Sequence, residues 1–96
     1  MEHATPVPLP AASGLFGPVS TTGYVTITGI AAVETGGSAV VAVVIREGSV
    51  SGTVVVAISL AASGAVTEHV EPVKCNKQMY CQLIGSGVPA GSVHVK

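Results

Sequence analysis

Few side chains in this sequence could do chemistry. His69, Cys75, Cys81 and His94 form the one set with soft or borderline metal-ligand character, and successive members lie 6, 6 and 13 residues apart. Structural zinc sites present ligands in tight pairs such as Cys-x-x-Cys, so this spacing predicts no metal centre. Cys75 and Cys81 flank a predicted turn at Asn76-Lys77-Gln78. Two alternatives stay open there: a cross-strand disulfide, or two separate buried thiols. Ser59, His69 and Glu71 supply a nucleophile, a base and an acid by type, but no Gly-x-Ser-x-Gly elbow accompanies them. Glu68 and Glu71, three apart on an alternating strand, project to opposite faces, which is wrong for sharing a proton. They read instead as solvated charges that discourage strand-to-strand aggregation. The stretch 85–92 (Gly-Ser-Gly-Val-Pro-Ala-Gly-Ser) is rich in glycine. Neither a Lys-Ser/Thr pair nor a helix follows it, so it predicts a long hairpin loop rather than a phosphate cradle.

Composition points the same way. In 96 residues, 48% are hydrophobic and 9% charged, there is no Asp or Trp, and the only cations are Arg46, Lys74, Lys77 and Lys96 against five Glu. The apolar content excludes an intrinsically disordered chain. A net charge of -1 supplies no basic stripe for a phosphate backbone, so no nucleic-acid partner is expected. A catalytic role is not expected, nor is any cofactor. The longest uninterrupted apolar run, 39–45, is far short of the roughly 20 residues a membrane-spanning helix needs. With no basic start followed by an apolar stretch of 7 to 15 residues, no secretory signal is expected, and synthesis in a reducing cytoplasm follows. So few charges must cover so much apolar strand that a homo-oligomer is expected.

The elements that would position these residues are strands. Residues 1–18 carry four of the six prolines, and the alternation Pro6-Val7-Pro8-Leu9-Pro10 fixes every second φ and extends the residues between. This predicts a polyproline-II-like N-terminal arm whose apolar side chains Val7, Leu9, Leu15 and Phe16 dock on a partner. From residue 19 to 96, β-branched residues fill short runs between Gly and Ser turns, with no helical period. In Tyr24-Val25-Thr26-Ile27-Thr28, Val25 and Ile27 face inward. After a bend at Gly29 come Ile30 to Glu34, then an all-apolar run over 39–45 that suits a central strand. Residues 53–60 put Val54, Val56, Ile58 and Leu60 on one face. Residues 66–71 form a polar edge strand ended by Pro72, and 78–84 and 91–96 complete the set. Seven or eight strands at this spacing predict an all-β antiparallel two-sheet sandwich over 19–96, with the arm at 1–18.

From Gly23 onward the pieces Gly23-Tyr24-Val25-Thr26-Ile27-Thr28-Gly29, Glu34-Thr35-Gly36-Gly37-Ser38-Ala39-Val40 and Glu47-Gly48-Ser49 with Ser51-Gly52 follow one another. Ala57-Ile58-Ser59-Leu60, Glu71-Pro72, Ser86-Gly87-Val88 and Gly91-Ser92-Val93-His94-Val95 come after them. This series resembles small virion accessory proteins of tailed bacteriophages, over about three quarters of the chain. The sequence departs from that pattern at Glu47, where an Asp is common, and at Glu71-Pro72 and Gln78, where glycines often stand. The resemblance implies a jelly-roll-like sandwich on the capsid surface, as a decoration protein or head-fibre component. The major capsid protein would be its partner, and a homotrimer its assembly. It transfers no catalytic residue. A rival expectation on the same architecture is a host-surface or glycan adhesion module on a tail or fibre, with 85–92 as its recognition loop.

Overall fold

A computed structural model describes residues 5–18, 24–76 and 78–96, with the side chains of residues 70, 71 and 76 outside the description. The expected strand start at Val19 and the Lys77 position of the predicted turn lie outside the described residues. Among the described residues there is no helix, and eight strands run in order: β1 (Thr5–Pro8), β2 (Gly14–Phe16), β3 (Tyr24–Glu34), β4 (Val41–Glu47), β5 (Val54–Leu60), β6 (Ala65–Asn76), β7 (Met79–Gly85) and β8 (Pro89–Val95). They form two four-stranded sheets, β1-β8-β3-β6 and β2-β7-β4-β5, antiparallel throughout. The two sheets share one core and extend over 40 × 31 × 18 Å.

The pairing follows a simple rule. β1 pairs β8, β2 pairs β7, β3 pairs β6 and β4 pairs β5, as in one long hairpin whose tip is the β4–β5 connection. Two more pairings, β3 with β8 and β4 with β7, roll that hairpin into two layers. The chain therefore changes sheet at every connection except β4–β5.

Period-two alternation builds the core. Val25, Ile27, Ile30, Ala32, Val93 and Val95 come from one sheet, and Val41, Val43, Ile45, Val56, Ile58 and Leu60 from the other. Most adjacent positions are half-buried or exposed, as a strand's geometry requires, while Val44 between Val43 and Ile45 is buried as well. Close approach of strands fixes one glycine: a Cβ on Gly91 would lie 2.0 Å from the Ala31 carbonyl oxygen on β3, and its φ is +152°. Only glycine fits between backbones so close.

Several expectations change. Residues 5–18 are not a projecting arm: β1 caps the β8 edge, β2 caps the β7 edge, and Leu9 N–H donates to the Gly91 carbonyl at 3.0 Å. Residues 5–18 thus add one strand to each sheet. Extended Pro-rich backbone suits an edge strand as well as a free arm. An edge needs a ladder donor only at every second residue, so Pro6 and Pro8 can alternate with Thr5 and Val7. β3 does not break at Gly29; the register shifts there against both neighbours, and β3 stays one strand. β6 is an edge strand but does not end at Pro72. Residues 70–72 stand opposite Thr28 alone, and this bulge absorbs the proline before pairing resumes at Val73. Val54 leaves the inner face at the shift between Ile45 and Arg46 and is 45% exposed.

Candidate functional site

The most organised polar feature lies at one end of the sandwich, where β3 stops. Glu34 is the one buried charged side chain among the described residues, at 2% exposed. Its Oε1 accepts the N–H of Gly37 at 2.7 Å and of Ser63 at 3.0 Å. Its Oε2 accepts the N–H of Gly36 at 2.7 Å and of Val88 at 2.8 Å. These donors come from three separate connections: after β3, between β5 and β6, and between β7 and β8. Thr35 adds two bonds to the Val88 carbonyl, from N–H at 2.8 Å and Oγ1 at 3.1 Å, and Glu34 N–H donates to Gly64.

The electrostatics follow from that geometry. The Ser63, Val88 and Gly37 N–H groups, with Gly36, hold the Glu34 carboxyl at about 2, below its ordinary 4.5, while burial acts in the opposite sense. Gly36 and Gly37 make the nest: a Cβ at Gly36 would sit 2.8 Å from Oε2, and Gly37 has φ +82°. The ionised carboxylate is saturated with donors and aimed at its own backbone, so it shapes the three loops rather than meeting a substrate. The loops and strand ends it gathers carry the apolar, exposed side chains Val33, Val40, Ile84 and Val88, at 39 to 64% exposure. Loops pinned on a rigid scaffold are where binding surfaces usually sit.

The residues singled out by type are scattered. His69 and His94 lie on the outer face of their sheet on either side of Gly29, whereas Cys75 and Cys81 point into the core at 0% exposure. The four do not meet, and among the described residues no three His, Cys, Asp or Glu gather as metal ligands. Neither cysteine is in a disulfide, and one comes from each sheet. Burial pushes both up to about 11, with Glu47 adding to Cys75, whose Sγ faces the Arg46 carbonyl at 3.8 Å. Ser59 and His69 lie on opposite outer faces of the sandwich, and the Glu71 side chain is outside the description. The predicted long loop at 85–92 is only residues 86–88, because β7 runs to Gly85 and β8 starts at Pro89; it crosses between sheets instead of closing a hairpin.

Of the four expected arm residues, Phe16 is in the core, Val7 and Leu9 pack against it, and Leu15 is 53% exposed. Phe16 is thereby withdrawn from any partner. The feature missed in the sequence is Glu34. Its one local signal is a lone carboxylate at the end of an apolar strand just before Thr-Gly-Gly.

No protein-family model, no curated protein and no solved structure matches the chain.

Proposed function

We propose that this chain is a jelly-roll structural protein of a tailed-bacteriophage virion, seated on the assembled capsid as a decoration or head-fibre component. The observation that carries the reading is the strand order. A long hairpin rolled into sheets β1-β8-β3-β6 and β2-β7-β4-β5 supports a jelly roll, an architecture shared by viral coat and lectin domains. The resemblance of residues 23–96 to virion accessory proteins supports the virion within that class. A fold alone does not assign function, so the reading rests on both.

The mechanism is mass action without chemistry. A protein that binds the assembled shell and not its free subunits stabilises the shell by RT ln(1 + [L]/Kd). The surface offered to the major capsid protein is the Glu34 end, with Val33, Val40, Ile84 and Val88 exposed on loops and strand ends. Apolar positions held on a pinned frame bind with little ordering cost. Phe16 plays no part, being buried, and Leu15 is the remaining apolar contact from the N-terminal segment.

The test is sedimentation of the purified chain with emptied heads of the phage whose lysate contains it. Saturable pelleting is expected, weakened at least ten-fold by Val40→Asp with Val88→Asp. Failure of the chain to pellet with those heads, or its absence from banded virions, overturns the reading.

A further inference from the structure

Four strands stand at the edges of the two sheets, and three of them are guarded. β1 has four residues, two of them Pro6 and Pro8. β2 has only three residues. β6 carries Glu68, Glu71 and Lys74, with Pro72 in a bulge. Short length, prolines, charges and bulges are the devices that stop an edge from pairing with another chain. β5 has a bulge at its start, where Val55 is the extra residue between the partners of Ile45 and Arg46, and none of these devices from Val56 to Leu60. It reads Val-Val-Val-Ala-Ile-Ser-Leu over residues 54–60, without charge, proline or glycine, and pairs in even register with β4 from Leu60 to Val56. No backbone partner is recorded on its far side among the described residues.

We propose that β5 is the contact strand of a two-fold homodimer, pairing antiparallel with β5 of a second copy. The sheets β2-β7-β4-β5 of the two copies then become one eight-stranded sheet. The inference stands independently of the virion reading.

Charge selects a second copy as the occupant. About a two-fold axis, the residue k places before the axis faces the residue k places after it in the other copy, so a strand that pairs with itself sets its own charges against one another. β5 has no charge to oppose. The same operation on β6 would bring the Glu68 and Glu71 positions of two copies together. Size agrees: Ala57, at the middle of the strand, and Ser59 are exposed on the outer face and small, so the outer faces meet without obstruction. On the inner face, Val56 at 7% and Ile58 at 6% are the rim of the core, which a neighbouring strand would finish covering.

The experiment is light scattering on the full chain over a hundred-fold concentration range, with Ala57→Lys and Ser59→Lys as disrupting variants. Thr67→Lys, an exposed position on the other sheet, is the control. Amide hydrogen exchange of the unaltered chain is followed at the two ends of the range. We expect the mass to rise to twice that of one chain, and each β5 variant to lower it two-fold with an unchanged far-ultraviolet spectrum. Thr67→Lys should leave it dimeric, and alternate β5 amides should be protected only at high concentration. A single-chain mass throughout, a mass that the β5 variants do not lower, or β5 exchange independent of concentration would each overturn the dimer. A stable trimer with unprotected β5 amides also overturns it. None of these outcomes decides head binding, which the sedimentation assay reads separately.

Discussion

The Glu34 carboxylate and the Val88 N–H meet at 2.8 Å across 54 positions of sequence, tying the last residue of β3 to the connection between β7 and β8. The same side chain takes three more backbone donors, so one carboxylate replaces the ladder partners that three loops lack. The four bonds are part-buried, and removing the acceptor leaves up to four backbone N–H groups without their partner.

Glu34→Gln should therefore destabilise the protein far more than Glu68→Gln, a change at an exposed position. The amide offers one oxygen and turns an NH2 group towards N–H donors. Urea unfolding of both variants checks this; equal midpoints would remove the clamp from the account.

Acid should undo the same clamp. With the folded carboxyl at about 2 and the ordinary value at 4.5, its contribution is complete above pH 4.5 and is lost as pH falls towards 2. Thermal midpoints at pH 7, 4, 3 and 2 should fall across that window, with a shallower fall in Glu34→Gln. Parallel curves would assign acid sensitivity to other groups.

β2 should behave as part of the core. Phe16→Ala removes a side chain 7% exposed, at a cost of about 3 kcal/mol. Leu15→Ala, at a position 53% exposed, should stay within about 0.5 kcal/mol. Denaturant unfolding distinguishes them, and a neutral Phe16→Ala would return residues 14–16 to the status of a detachable segment.

Both cysteines should resist modification while the chain is folded. At pH 8 a thiol near 11 has a thiolate fraction about 100-fold below that of a free cysteine, and burial blocks access as well. A disulfide-exchange reagent should titrate two thiols per chain in denaturant without reductant and react at least 100-fold more slowly without denaturant. Zero thiols in denaturant would mean a Cys75–Cys81 bond.

The positions of most strands were legible in the sequence because alternation is local: it depends on the two-residue period of one strand and on which residues avoid water. Val25 and Ile27, Val93 and Val95, and Met79 and Cys81 are buried as their spacing predicts. The role of residues 5–18 was not legible, since Pro6-Val7-Pro8 has the same extended backbone whether free or paired, and only the open edges of β7 and β8 decide between them. Glu34 was equally silent. Two of its donors are two and three residues away and show in the Gly36-Gly37 pair, but the other two are 29 and 54 positions distant. Which strands neighbour one another is likewise a property of the rolled hairpin. Local propensity determined where the chain extends, while long-range closure decided what each extended segment touches, because pairing depends on loop paths and shared burial that no window of sequence contains.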